Sequence, residues 1–233
     1  MSIWLRLRLA IAAVVAALSA CSGSPSAASG NAGAPGNGTA TPAAGSAGAL
    51  SLQAAAWSTI SDSPRVALGN DRAGQLVFDF PTRGGINYLY NTSPPNTIAG
   101  SVSVSLEIAT TGPVYFNFMT EPSNTCSTPS SVRPFFWSHE NGEGEFDRWW
   151  SNPIAYVLAA GSRTLSIPIS PDRWSSVFGK MGNADAAATV GFNRATGSVS
   201  RLGLTFGGGC FFGHGVFVQG GTARFTLVAY QVQ

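Results

Sequence analysis

Between His139 and Trp150 the chain reads HENGEGEFDRWW, the stretch where side chains able to do chemistry are densest. Four of the eleven acidic residues, Glu140, Glu143, Glu145 and Asp147, fall in one octet beside Asn141 and the carbonyls around Gly142 and Gly144. Hard oxygen donors crowded in a turn suit calcium. In an extended segment Glu143, Glu145 and Asp147 would also share one side. No EF-hand spacing is present, so a calcium site on these three stands beside the plainer reading of a solvated hairpin tip. Paired carboxylates also serve glycoside hydrolysis, provided they flank a cleft and one has a raised pKa. Acids exposed at a loop tip do not meet that condition, although His139 beside Glu140 offers a base for a lyase. A serine-hydrolase triad is poorly supported: there is no G-x-S-x-G, and the histidines are His139 and His214 alone. Two histidines without a cysteine cluster also argue against zinc.

The aromatics in the same stretch are the better binding candidates. Trp149 and Trp150 are adjacent, so in a strand they point to opposite faces. One is expected in a core and the other exposed beside Arg148. A flat indole with charged and amide neighbours suits a sugar, whose C–H faces stack while its hydroxyls need polar partners. Tyr88, Tyr90 and Trp137 would extend such a platform. The expected ligand site therefore comprises Trp149, Trp150, Arg148, Glu143, Glu145 and Asp147, with no cofactor other than calcium. The second place to look is the loop around His214, which Gly213 and Gly215 flank.

Short alternating runs separated by Gly, Pro, Asn and Ser must position these residues, and they are the signature of an all-β sandwich. The clearest is Ser101 to Ala109, where Val102, Val104, Leu106 and Ile108 face in and Ser101, Ser103, Ser105 and Glu107 face out. Gln75 to Phe80 places Leu76, Phe78 and Phe80 on one face, and Ile86, Tyr88 and Tyr90 alternate in the same way. Further strands are expected at Val114 to Phe118, Val132 to Trp137, Ile154 to Leu158, Thr164 to Ile169 and Val190 to Phe192. Leu202, Leu204 and Phe206 lead into the glycines 207–209, after which Val216 to Val218 and Ala223 to Val232 close the domain. One short helix is expected after Ser170, with Pro171 in its first turn, Gly179 at its end, and Trp174, Val177 and Phe178 pinning it over the sandwich.

The N-terminus addresses a different compartment. Arg6 and Arg8 precede the apolar run Leu9 to Leu18, which is too short to span a bilayer. Leu18-Ser19-Ala20-Cys21 follows, and it resembles the lipobox of bacterial lipoproteins. That resemblance implies a signal peptide over 1–20, diacylglycerol on Cys21, and a cell-envelope location. Ser22, rather than an aspartate, then favours the outer membrane of a diderm bacterium. Ser22 to Ala49 contains only Ser, Gly, Pro, Ala, Asn and Thr. It cannot offset its ordering entropy and reads as a flexible tether with a root-mean-square reach of about 30 Å. The folded domain is expected over 50–233. Without Arg6 and Arg8 the thirteen basic residues fall to eleven, equal to the acidic ones. A neutral chain without a Lys/Arg run lacks the footprint of nucleic-acid binding. Once Cys21 is lipidated, Cys126 and Cys210 remain, and an exported chain with two cysteines suggests a disulfide.

The segment LSIPISPDRW at 165–174 and the ending FGGGCFFGHGV…GTARFTLVAYQV resemble the galactose-binding-like jelly rolls of carbohydrate-binding modules. The resemblance implies a single β-sandwich with one short helix and raises the expectation of glycan binding, but no binding motif transfers residue by residue. The leading reading is a lipid-anchored, non-catalytic head that binds a carbohydrate or other surface ligand. A glycoside hydrolase or lyase using the 139–147 loop and a structural or adhesin-like surface protein are the alternatives.

Overall fold

The computed structural model describes residues 48–62, 65–119, 128–139, 144–153, 155–210 and 212–233. Cys21, Cys126, Glu140, Glu143 and the expected signal peptide lie outside the described residues. In chain order the strands begin with β1 (Gly48–Ala49), β2 (Trp57–Ser61), β3 (Gly69–Asn70), β4 (Leu76–Asp79) and β5 (Ile86–Asn91). They continue with β6 (Ser101–Thr111), β7 (Tyr115–Phe118), β8 (Ser131–Trp137), β9 (Arg148–Ser151) and β10 (Tyr156–Val157). After β11 (Gly161–Pro168) and β12 (Trp174–Ser176) comes the helix α1 (Ala186–Thr196), and β13 (Arg201–Gly207), β14 (Val216–Gln219) and β15 (Thr222–Val232) complete the fold.

These strands form two antiparallel sheets packed as a β-sandwich. The six-stranded sheet runs β11-β6-β15-β4-β3, with β1 added to β15. That addition begins at Gly48, two residues ahead of the boundary drawn from composition. The nine-stranded sheet runs β12-β9-β8-β13-β5-β14-β7, with β10 on β8 and β2 on β5. The alternation in β6 is as expected: Val102, Val104, Leu106 and Ile108 are buried, and the serines between them point away from the core. Facing them across the interior are Phe136 of β8, Trp149 of β9, Leu202, Leu204 and Phe206 of β13, and Phe225 of β15 joins the same cluster. The phenol of Tyr230 crosses this core to donate to the Gly203 carbonyl at 3.2 Å, one hydrogen bond between the sheets.

Three local expectations give way to the structure. The helix expected at Ser170 to Gly179 is a single 3-10 turn, Pro171–Arg173, followed by β12. The Ser170 hydroxyl donates to Asp172 Oδ1 at 2.7 Å instead of accepting from the backbone, so the turn gains no cap. Trp174 is fully buried with its indole N–H on the Pro168 carbonyl at 2.8 Å, which fixes the chain as a strand beside β9. Phe178, expected to pin the helix, is 76% exposed.

The helix lies instead at Ala186–Thr196, where Val190 to Phe192 had read as a strand. Asp185 caps it by accepting from the Ala188 N–H at 2.8 Å, and three alanines form its first turn. Ala188, Gly191, Phe192 and Ala195 recur at helical spacing and are buried. A two-residue spacing between Val190 and Phe192 concealed that longer period.

The third correction concerns Ile86, Tyr88 and Tyr90, which do not share a face. The register of β5 against β2 slips, Ile60 opposing Tyr88 and Ser61 opposing Ile86, so Asn87 is one residue too many. This bulge returns Ile86 to the core and leaves Tyr88 and Tyr90 on the outer surface of the nine-stranded sheet.

Candidate ligand-binding face

The registers place one set of side chains on the outer surface of the nine-stranded sheet. Phe135 pairs with Trp150, Trp137 with Arg148 and Arg201, and Thr205 with both Arg133 and Tyr88. Tyr88, Phe135, Trp137 and Trp150 form a second apolar cluster separate from the main core. Edge-to-face contacts bind it together: Tyr88 to Phe135 at 4.9 Å, Tyr88 to Trp137 at 5.2 Å and Phe135 to Trp137 at 5.6 Å. A sheet face that carried such residues bare would be an aggregation surface. Here guanidinium groups and loops cover much of it.

Arg201 lies over Tyr90 and Trp137, 4.8 Å from each ring centroid. Arg148 sits 5.8 Å from Trp137 and 5.9 Å from Trp150. Arg133 is buried under Phe212 at 3.5 Å and donates to the Ser151 carbonyl at 3.0 Å. Burial pulls its pKa down to about 10, which still leaves it a cation at neutral pH. Among the described residues no carboxylate pairs with these three arginines.

A cleft of about 730 Å³ opens over this surface, with Tyr88, Arg148 and Trp150 among the residues that line it. One wall comes from residues 209–210 and 212–214, including Phe212 and His214; the other is the 177–179 turn, including Phe178. Gly213 has φ +73°, and a Cβ there would meet the Tyr88 phenol, so only glycine lets the turn settle on the tyrosine. The side chain of Asn87 holds the same turn by donating to the Gly213 carbonyl at 3.0 Å.

Several buried polar atoms in this region lack a partner. The indole N–H groups of Trp137 and Trp150 and the Nε of Arg148 make no hydrogen bond, and neither does Asn87 Oδ1, beside the cleft's glycine turn. Ser176 Oγ completes the set, but its register opposite Trp149 turns it to the interior. Each unpaired buried donor costs about 1–3 kcal/mol. Native structures hold few of them, and two of these donors, at Trp150 and Arg148, line the cleft, where a ligand would supply acceptors. Tyr88 is nearby as well. Burial pushes its phenol above the ordinary tyrosine range. The positive charge of Arg148 opposes the shift, as does the approach of the Thr205 hydroxyl, the Trp150 indole N–H and the Arg148 guanidinium to the phenol oxygen. Neither the Trp150 nor the Arg148 approach is a well-formed hydrogen bond.

The residues expected from the sequence divide sharply here. Arg148 and Trp150 line the cleft, and Tyr88, Tyr90 and Trp137 lie on the same outer face. The loop around His214, read as a separate candidate, forms a wall of the same cleft. Trp149 does not belong to the site. It is fully buried in the main core, its indole N–H on the Phe146 carbonyl at 2.9 Å. Neither tryptophan is the exposed one of the expected pair, since Trp150 is only 3% exposed even on its own face. The covering arginines and the two turns account for that.

The described end of the acidic segment is not extended either. Gly144 to Asp147 is a turn closed by Asp147 N–H on the Gly144 carbonyl at 3.1 Å. Asp147 Oδ2 accepts from Gly144 N–H at 2.9 Å, and its Oδ1 takes a 3.0 Å ion pair with Arg194 of α1. Asp147 thus ties the turn to the helix, and Glu145 lies within range of Lys180 rather than aligned with it. No group of three metal-ligating side chains is found among the described residues. His139 is exposed beyond the end of β8.

Sequence reasoning missed Arg133, Phe135, Phe178 and Phe212. Arg133, Phe135 and Trp137 alternate in VRPFFW, and that outward set was legible. Phe178 and Phe212 arrive from turns, and only the folded chain brings them to the cleft.

No family model and no curated protein matches the chain. Among solved structures it is similar to the family 11 carbohydrate-binding module of a cellulosomal cellulase of Clostridium thermocellum, with 11% identity and a TM-score of 0.41 over 79% of this chain and 94% of that one. It is also similar to a xylan-binding module, at 12% identity and a TM-score of 0.37, over 78% of this chain and 96% of that one. An arabinose-bound α-L-arabinofuranosidase aligns over 76% of this chain but 23% of its own length, at 14% identity and a TM-score of 0.34. Likeness of this order assigns no ligand; the function has to be argued from the face itself.

Proposed function

We propose that the protein is a lipid-anchored component of the cell envelope whose sandwich binds a carbohydrate chain in the cleft over the nine-stranded sheet, without catalysing a reaction on it. The observation that carries this reading is the pairing of Trp150, a floor with an unsatisfied indole N–H, with Phe178, an exposed aromatic on the rim. A sugar ring has an apolar face to stack on an exposed aromatic and oxygen atoms to accept from buried donors. A binding cleft needs this combination of a few convergent polar groups and an apolar lining. The non-catalytic part is supported by Asp147, whose two oxygens are engaged by Gly144 and Arg194 rather than turned on the cleft.

The anchor is supported by the Leu18 to Cys21 motif. Each buried lipid CH₂ contributes about 0.8 kcal/mol, so several acyl chains on Cys21 would hold the protein to a membrane. Cys21→Ala should lose incorporation of a fatty-acid probe and leave the membrane fraction; continued labelling of that mutant would remove the anchor from the proposal.

For the cleft, the detergent-solubilised full chain should be titrated with a polysaccharide panel and assayed for released reducing ends. Binding without release is expected. Phe178→Ala should weaken that binding about tenfold with an unchanged melting temperature, because the ring makes little contact with the fold. An unaltered affinity in a folded Phe178→Ala protein would move the site elsewhere, and released reducing ends would make the protein an enzyme.

A further inference from the structure

The charged side chains described on the outer sheet face have one sign, while Asn152, His214 and the Tyr88 phenol add neutral polar groups to the cleft lining. Outward positions on β5, β8, β9, β12 and β13 carry Arg133, Arg148 and Arg201, and the registers put no carboxylate on that face. Among the described residues no Asp or Glu lines the cleft. The unpaired atoms on the sheet face itself, at Trp137, Trp150 and Arg148, are all N–H donors. The orphaned acceptor, Asn87 Oδ1, lies against Gly215 beneath the turn.

A neutral sugar hydroxyl both donates and accepts, so a site shaped for neutral sugar alone would offer acceptors in similar number. Buried N–H donors without a partner, beside an Arg148 guanidinium with no described carboxylate, match a ligand that accepts and carries negative charge. Resting on the glycan reading above, we infer that the ligand is an anionic polysaccharide whose carboxylate or sulfate group reaches Arg148 and the Trp150 N–H while its ring stacks on Phe178. Uronate carboxylates and sulfate esters present the same acceptor chemistry, so the structure assigns the charge, and experiment separates its two sources.

The test uses the full chain in detergent with polygalacturonate, its methyl ester, dextran sulfate, unmodified dextran and neutral xylan, each at about 50 and 500 mM NaCl. Polygalacturonate or dextran sulfate should bind at least tenfold tighter than its uncharged counterpart, and which of the two does so identifies the acidic group. That preference should shrink at the higher salt, where the screening length falls to a few ångströms. Arg148→Gln should reduce the preference to within about threefold, Arg148→Lys should retain part of it, and Trp150→Phe, which removes the N–H and keeps a ring, should weaken acidic ligands several-fold. Arg224→Gln, on the opposite sheet, should change nothing. Equal or tighter binding of methyl ester, dextran or xylan overturns the anionic assignment and leaves the glycan reading standing. Binding to none of the five overturns both. An acidic preference that survives Arg148→Gln in a folded protein marks ion exchange elsewhere on the surface and also overturns the assignment. If the Arg148 variants fail to fold, the comparison of each acid with its neutral form on the unaltered protein decides the question.

Discussion

On the outer side of the six-stranded sheet the side chains are Ser103, Ser105, Glu107, Thr164, Ser166 and Thr226, small or solvated, with Arg224 held by both oxygens of Asp79 at 2.8 and 2.9 Å. The hydroxyls of Ser105 and Thr164 hydrogen-bond each other at 2.9 Å, so polar groups find partners within the face. The same positions on the nine-stranded sheet carry Tyr88, Phe135, Trp137 and Trp150, and three arginines without a described carboxylate. Both faces belong to one sandwich and share one core, so the requirements of folding are the same for both. What differs is whether a surface satisfies itself. Among the described residues the hydroxyl face leaves no buried polar atom without a partner, whereas the aromatic face holds unpaired N–H donors, the excess on which the proposed binding rests.

The comparison is tested most severely at β9, where neighbouring tryptophans belong to different sides. Trp149→Ala opens a cavity in the shared core and should destabilise by about 3–5 kcal/mol in urea unfolding. Trp150→Phe should cost much less, and equal losses would mean that both indoles serve the core.

Next in size is the covalent tie that we propose between Cys126 and Cys210, on the cleft side of the molecule. Thr128, two residues beyond Cys126, accepts from the Gly209 N–H at 2.7 Å and lies 3.7 Å from the Cys210 sulfur, which supports the pairing. Closing a loop of about 85 residues contributes about 4–5 kcal/mol in the chain-entropy model and typically 2–4 in practice. Non-reducing peptide mapping should recover the two cysteines linked, and reduction should lower the melting temperature; two free thiols in protein from an oxidising compartment would dissolve the idea.

Alkaline pH probes the aromatic face and the shared core through one phenol in each. Burial raises Tyr88 and Tyr230 above the ordinary tyrosine value. A raised folded-state pKa means stability that is complete below about pH 10 and is lost as pH rises beyond it. Melting temperature should therefore drop above that pH, and Tyr88→Phe should remove part of the drop. A profile flat to pH 12 would show that neither phenol is sealed.

The smallest effect is expected on the hydroxyl face. An exposed ion pair is worth about 0–1 kcal/mol, so Arg224→Gln should barely alter stability. Hydrogen bonding to Arg224 lowers the Asp79 pKa, so what the pair contributes is present above pH 4 and fades as acid protonates Asp79. A loss of several kcal/mol in Arg224→Gln would contradict the view that this face is ordinary surface.

Much of this was readable from periodicity. Serine alternating with valine in β6 marked both faces of a strand, and Tyr88 and Tyr90, two residues apart, do share a side, although the same rule wrongly put Ile86 with them. Legibility failed where a second rule competed. Alternation in Val190–Phe192 masked a helix whose cap, Asp185, and small residues at Ala188, Gly191 and Ala195 were present in the sequence. Acid density drew attention to Glu145 and Asp147, but a count of charges does not reveal that Arg194, forty-seven residues later in the chain, has already claimed one of them. Phe178 and Phe212 come from turns, which carry no period from which to read a direction.

Asn87 is supernumerary to the ladder. Remove it on paper, and Ile86 still faces the interior while Tyr88 still faces out, now as ordinary neighbours in an unbroken strand. The insertion therefore leaves the phase of the strand unchanged, and its carbonyl accepts from the Thr205 hydroxyl of β13 at 3.2 Å. Its side chain adds a carboxamide reaching over to Gly213, a fastening between the strand and the wall of the cleft. Insertions and deletions within a strand normally invert everything beyond them. This position is phase-neutral, so lineages can gain or shed it without rebuilding the barrel of contacts behind it. A protein shortened by this one residue should fold with both faces intact and carry a looser turn at 212–214: the same scaffold, retuned for a different grip.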